Sequence, residues 1–373
     1  MTLHDQLIAS KALLHVSCTG AGPALQSAIW GTPGSSEYFV GYFTPYRRTQ
    51  LHSFLGKPPD ESYVSENVAL DMASASYIRA AEAKVMEELE GHPIGVGVTA
   101  AVASSKLPRG EHRAHCAIIT KDTVVHFMLT LKKGIGPEVR ASHDQEIANV
   151  VQSVLSLVLE GKLWSEEWEA KALERFYEYP IFHTNGTRRK PEVERGIYLP
   201  ATLNPIHDGH REMCRAAEAL LGPGEGIPGR IKATYLVSSV SPHKGRLRVQ
   251  DMLFKAGMLR AERWRRESRM VEFTRDEPLF IDKVRKRPGS IFLLGADTMQ
   301  RMLDPKWGPE IKSMLTEIRD LRTKFYVMSR LVNGELLQGP EILTRLNIEG
   351  TGVFYRLPGR VDISSTELRD KSL

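Results

Sequence analysis

The stretch Gly196-Ile197-Tyr198-Leu199-Pro200-Ala201-Thr202-Leu203-Asn204-Pro205-Ile206-His207-Asp208-Gly209-His210 decides how the second half of this chain is read. It opens as a short apolar run ending at Leu199, breaks at Pro200 and turns through Asn204-Pro205. Residues 211–221 then place apolar side chains at helical spacing. The pattern is strand, tight loop, helix, with two histidines where the helix begins. N–H groups of a first helical turn lack partners within the helix, and the helix dipole favours negative charge there, so the position suits a phosphate. Gly209, lying between the imidazoles, lets backbone approach the same phosphate chain. The His-x-x-His spacing also serves metal ligation, and either histidine could simply cap the helix.

A length of 373 residues accommodates two ordinary domains. With 42% hydrophobic and 25% charged residues, neither a disordered nor a fibrous chain is expected. The net charge of +5 is too mild to argue for nucleic acid by itself, although it fits anionic small substrates. Three scattered cysteines, Cys18, Cys116 and Cys214, with no C-x-x-C spacing, point to a reducing compartment and away from structural zinc. The first residues, Met1-Thr2-Leu3-His4-Asp5-Gln6, carry no basic segment leading into an apolar core, and no stretch reaches membrane-spanning length. The expectation is a cytoplasmic enzyme, with a nuclear location left open, no membrane or nucleic-acid partner, and a homo-oligomer compatible with the sequence.

The first half alternates strands and helices. Strands are predicted at Ala12–Cys18, Tyr38–Thr44, Ile94–Thr99, Ala114–Thr120 and Val124–Leu131, and helices at Pro23–Trp30, Glu66 to about Glu88 with Ser65 as N-cap, and Gln145–Glu160. That order predicts an α/β layer domain over residues 1–165. Residues 166–194 are expected as a linker: a charged, helical beginning gives way to a polar, basic run through Arg188-Arg189-Lys190, read as a solvated face.

Residues 195–373 form the second expected domain. After the opening strand and helix come a β-rich run to Ser238, a helix from Arg248 to Trp264, the apolar strand Ile291–Leu294, and strands at Lys324–Ser329 and Gly352–Leu357. Helices between short apolar strands imply a parallel, Rossmann-like sheet, whose ligands sit beyond the carboxyl ends of its strands. Arg263–Arg266 and Lys283–Arg287 are expected as exposed basic faces. Near the end of the sequence, Ile363-Ser364-Ser365-Thr366-Glu367-Leu368-Arg369 sets hydroxyls at a helix start with a guanidinium on its first turns, a second anion pocket.

Asn-Pro-x-His-x-x-His and Ile-Ser-Ser-Thr-x-x-Arg at opposite ends of one domain resemble the nucleotidyltransferase superfamily, which cleaves nucleoside triphosphates between the α and β phosphates. Within it, Asn204-Pro205, the Ser241-Pro242-His243-Lys244 loop, and Leu294-Gly295-Ala296-Asp297-Thr298 followed by Trp307 resemble nicotinamide or nicotinate mononucleotide adenylyltransferases. The resemblance implies catalytic roles for His207 and His210. It implies ATP or phosphate binding by Thr202, Leu203, His207, His210, Lys244, Ile363, Ser364, Ser365, Thr366 and Arg369, and mononucleotide binding by Asn204, Asp297 and Trp307. It also implies Mg²⁺ carried on the substrate ATP rather than held by protein ligands. The family's Gly-x-Phe is here Ala201-Thr202-Leu203, a tighter loop. Bland readings stand beside these: Lys244 on a solvated basic face, Trp307 in the core, Asp297 as a helix cap. Other expected functions are transfer to a different phosphorylated acceptor, of the cytidylyltransferase or pantetheine-phosphate type, and a non-catalytic nucleotide-binding scaffold.

The first half resembles the nicotinamide-nucleotide amidohydrolase family, the CinA C-terminal domain, through Ser17-Cys18-Thr19-Gly20, Gly34–Phe39, Tyr46, and Val64–Ala69 with Met72-Ala73. Its chemistry is damaged: the family's glutamate is Val16, its lysine is Leu51, and its Thr-Gly-x-Ala-Gly-Pro loop is Thr99-Ala100-Ala101-Val102-Ala103-Ser104. Without that lysine Ser17 has nothing to lower the cost of losing its proton. The expectation is a degenerate site at Ser17, Tyr46 and Thr99, in a domain kept for folding, dimerisation or regulation.

Overall fold

A computed structural model describes residues 1–107, 109–183, 185–191, 195–203, 205–222, 232–241, 245–262, 269–307, 310–332 and 334–362, without the side chains of residues 241 and 307. The elements run α1 (Leu3–Ala9), β1 (Ala12–Thr19), α2 (Pro23–Trp30), β2 (Phe39–Phe43), α3 (Arg48–Leu55), α4 (Glu66–Met86), β3 (His92–Ala101), β4 (His112–Ile119), β5 (Val124–Leu131), α5 (Pro137–Leu159), α6 (Glu166–Glu178), β6 (Ile181–His183) and β7 (Arg188–Arg189). They continue with β8 (Ile197–Pro200), α7 (Asp208–Leu221), β9 (Thr234–Ser238), β10 (Val240–Ser241), β11 (Gly245–Arg246), α8 (Val249–Ala261), β12 (Met270–Thr274), α9 (Phe280–Lys286), β13 (Ile291–Gly295), α10 (Ala296–Met302), α11 (Ile311–Asp320), β14 (Lys324–Val332), β15 (Glu335–Leu337), α12 (Gly339–Leu346) and β16 (Phe354–Val361). Two compact α/β units result, Met1–Arg189 with Arg248–Ser268, and Lys190–Leu247 with Arg269–Leu373.

The first unit is built on a sheet of order β2-β1-β3-β4-β5. β1 lies parallel to β2 and β3, while β4 and β5 continue antiparallel. Leu14, Val16, Cys18, Val96 and Val98 point into one core with Leu25 and Ile29 of α2 and Ile147, Val151 and Leu155 of α5. Full burial of each large aliphatic side chain contributes about 1.5–3 kcal/mol. The opposite face is shaped by glycine: a Cβ on Gly95 would lie 2.2 Å from the Ala73 carbonyl oxygen, and one on Gly97 2.4 Å from that of Ala69. Those two absent side chains let α4 rest directly on β3. Ser65 starts α4 as read from the sequence, its hydroxyl accepting from the Val68 N–H at 3.3 Å.

Three expectations change here. α5 begins at Pro137, two turns before Gln145, because its polar first turns carry no apolar periodicity to be read. Residues 166–189 are folded structure of the first unit: Arg175 of α6 binds Asp71 of α4 through two bonds of 3.2 and 2.7 Å, and Lys57 approaches the same carboxylate at 2.9 Å. Burial opposes that charge, yet the two cations hold Asp71 below the usual carboxylate range. Arg188, read as solvated, is buried, donating to the carbonyls of Tyr179 and Phe176 and lying over the Phe182 ring. Finally, the helix expected from Arg248 belongs to the first unit. Its Gly257 meets α4 so tightly that a Cβ would lie 2.6 Å from the Ala81 Cβ.

In the second unit the strands run β15-β14-β13-β8-β9-β12, with β16 also on β14. Every pair except β14–β15 is parallel. Taken in order of appearance, the parallel strands lie third, second, first, fourth, fifth, sixth, the doubly wound arrangement expected from the sequence. Strand order therefore reverses between β8 and β13, opening a crevice beyond their carboxyl ends. Phe292, Leu294, Phe325 and Val327 pack against Met299, Met314, Leu315 and Ile318 in its core. The basic run at Lys283–Arg287 is only partly a surface face. Lys283 and Arg287 are buried, and Arg287 pairs with both Glu272 and Glu277.

Candidate functional site

β8 ends at Pro200, and the loop behind it is held to the sheet by the Ala201 N–H, which donates to the Leu236 carbonyl at 3.1 Å. Leu203 is fully buried with φ +47°, a left-handed conformation unfavourable for a branched side chain. Thr202 is exposed. The loop delivers His207 as the N-cap of α7, with His210 in the first turn, so both histidines stand where the helix begins, as the sequence reading expected. The two imidazoles stack with centroids 3.7 Å apart and planes 23° apart. The His207 N–H donates to His210 Nδ1 at 3.3 Å, which leaves the ring proton of a neutral His210 on Nε2, a donor. Burial, joined by the charges of His207, Arg211 and Arg330, pushes His210 down to about 3, so it is neutral at physiological pH. An arriving polyanion would reverse that balance.

β13 ends at Gly295, across the crevice, and Asp297 stands in the first turn of α10. Its carboxylate accepts from Arg330 at 2.9 Å and from Arg301 at 3.0 Å. Asp297 is thus an ion-paired side chain instead of a plain helix cap. A Cβ on Gly295 would lie 2.8 Å from the Asp297 carboxylate, so only glycine leaves the carboxylate its place. Arg330, at the carboxyl end of β14, escaped the sequence reading. Its charge reaches His210 as well as Asp297, which joins the β8 and β13 sides electrostatically. The available signal was its place just beyond the apolar run Phe325–Met328.

β16 ends beside the start of α7. Val361, at the end of β16 and two residues before Ile363, lies so near Gly209 that a Cβ there would be 2.5 Å from its Cγ1. This close approach favours glycine at position 209. Asn204, Lys244, Ile363, Ser364, Ser365, Thr366 and Arg369 lie outside the described residues, as does the side chain of Trp307, whose backbone closes a short 3-10 turn. Among the described residues no three His, Cys, Asp or Glu side chains gather to hold a metal ion.

The corresponding place in the first unit is different. Ser17 is fully buried, its hydroxyl 3.3 Å from the carbonyl oxygens of Met72 and Val96 and accepting from Ser76 at 3.0 Å. Thr99 is buried and donates to the Tyr63 carbonyl at 2.7 Å, while Tyr46 is 67% exposed. Leu51 packs with Phe54, Leu55, Val68 and Met72, and Val16 is in the core. The start of α2 is filled from within: the Asp144 carboxylate accepts from the Gly22 N–H at 2.5 Å and the Ala24 N–H at 2.9 Å. Arg140 donates to the carbonyls of Gly20 and Ala103, both at 3.0 Å. No helix of the described residues is long and apolar enough to cross a membrane.

No family model and no curated protein matches the sequence. Solved structures give matches to competence-damaged protein (CinA) superfamily proteins. One from Klebsiella pneumoniae is 12% identical over 41% of this chain and 93% of its own, with a TM-score of 0.32. One from Escherichia coli is 17% identical over 42% and 91%, with a TM-score of 0.31. A competence/damage-inducible protein from Agrobacterium tumefaciens is 18% identical over 41% and 93%, with a TM-score of 0.31.

Proposed function

We propose that the second unit transfers the adenylyl group of ATP to nicotinamide or nicotinate mononucleotide, giving NAD or its deamido form and pyrophosphate. The observation that carries this reading is the meeting of His207, His210, Arg330 and Asp297 at the reversal of a doubly wound sheet, with Val361 of β16 against Gly209. The acceptor's 5′-phosphate oxygen attacks the α-phosphorus, and the bond from that phosphorus to the bridging oxygen breaks, releasing pyrophosphate. No protein nucleophile is needed; alignment and neutralisation of the departing charge supply the rate. His210 offers its Nε2–H to a phosphate oxygen, His207 lies against it, and the first turn of α7 adds its dipole. Lys244, Ser364, Ser365, Thr366 and Arg369 are the proposed further phosphate ligands, and Mg²⁺ arrives on ATP as part of the substrate. Asp297 and Trp307 are proposed to face the pyridine nucleotide, with Arg330 fixing the carboxylate.

The first unit is proposed to lack amidohydrolase turnover, since Ser17 is buried and its expected activating lysine is the core residue Leu51. The test supplies ATP with each mononucleotide in parallel and follows both pyrophosphate and ammonia. Pyrophosphate without ammonia is expected. Absence of pyrophosphate with either acceptor, or a His210→Ala variant as active as the parent chain, would sink the reading. Turnover only with another phosphorylated acceptor would move it elsewhere in the superfamily.

A further inference from the structure

We propose that α8 makes the two units one cooperative structure, so that loosening the α4–α8 helix pair also loosens the strands carrying the second unit's histidines. The sequence of α8 lies between β11 and β12 of the second unit, yet its residues complete the first. Most of its thirteen residues are buried, including Met252, Leu253, Ala256 and Leu259. Arg260 donates to Glu82 of α4 at 2.8 Å, and Gly257 provides the notch for Ala81. A helix so enclosed has no solvated face on which to remain folded alone.

The chain passes into α8 without a spacer. The Leu247 N–H donates to the Ser239 carbonyl at 2.7 Å, anchoring it to the turn that follows β9. The next residue, Arg248, grips the first unit: its guanidinium binds Glu169 at 2.8 and 2.6 Å and the Asp122 carbonyl at 2.8 Å. One trans peptide spans about 3.8 Å between Cα atoms. If Arg248 leaves its partners, Leu247 loses the fixed residue that follows it, and the β9 turn loses the support that position gave. The coupling runs through the main chain and needs no ligand.

Hydrogen exchange on the full chain tests this with two substitutions, Gly257→Leu and Arg248→Ala. Gly257→Leu wedges α8 away from α4. Amides of α4 and α8 should exchange faster, and those of β8 and β9 should follow by about tenfold, inside the usual range of coupling between sites. Acceleration confined to the first unit overturns the proposal. Should Gly257→Leu fail to fold, Arg248→Ala decides, because it removes surface hydrogen bonds and leaves the core intact. Faster exchange at β9 supports coupling, and an unchanged β9 overturns it. Neither reading uses turnover, so the outcome is independent of the adenylyl-transfer reading.

Discussion

Two strand–loop–helix corners of this molecule share an architecture and differ in what fills them. After β1, the start of α2 receives the Asp144 carboxylate of the same chain, and Ala100 crowds the loop so closely that a Cβ on Gly20 would lie 1.9 Å from its carbonyl oxygen. After β8, the start of α7 presents two stacked imidazoles, of which His210 is kept neutral by burial, with Arg330 near enough to act on it. A helix start is attractive to anions in both cases. In the first corner an internal anion has taken the place; in the second, the groups able to become cations line it. Placement in the fold is therefore common to both, and the side chains decide whether a phosphate is invited.

The comparison breaks most visibly at His210. His210→Ala should lower pyrophosphate release by about 10²–10³-fold, the scale for losing one preorganised donor to developing charge; a loss below threefold would remove His210 from the site. Acidity comes next. A histidine in the unfolded chain takes its proton near 6.5, whereas burial first, then neighbouring charge, holds His210 at about 3. Below pH 6.5 the unfolded state binds a proton that the native site refuses, so stability present above 6.5 is lost as pH falls toward 3. Urea titrations should show roughly 2 kcal/mol lost between pH 6.5 and 5 on this account. Because buried His15 and half-buried His126 of the first unit are lowered as well, the check is that His210→Ala flattens the slope.

Smaller effects sharpen the other corner. Asp144→Ala should cost the first unit about 1–2 kcal/mol, the usual value of a lost helix cap, read as a lower melting temperature. Asp144→Asn should recover part of it, since its amide oxygen still accepts one N–H. Ser17→Ala should cost about 1 kcal/mol in lost hydrogen bonding and leave pyrophosphate release unchanged. Ammonia release that depends on Ser17 would show the first corner to be alive.

Local chemistry was legible wherever the signal was local. Ala24, Leu25, Ala28 and Ile29 gave α2 to the residue, with Pro23 at its start, and Ser65 announced α4. His207, His210 and Asp297 fell at strand ends because apolar runs and the residues that break them mark those ends. What stayed hidden depends on partners far along the chain. Arg188 looks like a solvated basic residue until Phe176, Tyr179 and Phe182 surround it. Lys283 and Arg287 read as surface until Glu272 and Glu277 arrive to satisfy them. The allegiance of α8 rests on a notch at Gly257 matched to Ala81, which no periodicity within α8 could announce.

The interrupted sequence of the first unit also governs its manufacture. Protein synthesis is vectorial, and amino-terminal domains ordinarily fold as soon as they emerge. Here β8, α7 and β9 must all be translated before α8 exists, and meanwhile the surface of α4 around Ile78, Ala81 and Glu82 has no helix to receive. The nascent chain carries an open seam through the production of nearly sixty residues, from Lys190 to Leu247. Ribosome pausing within that interval prolongs the exposure, and a chain released there ends with its amino-terminal half unsealed.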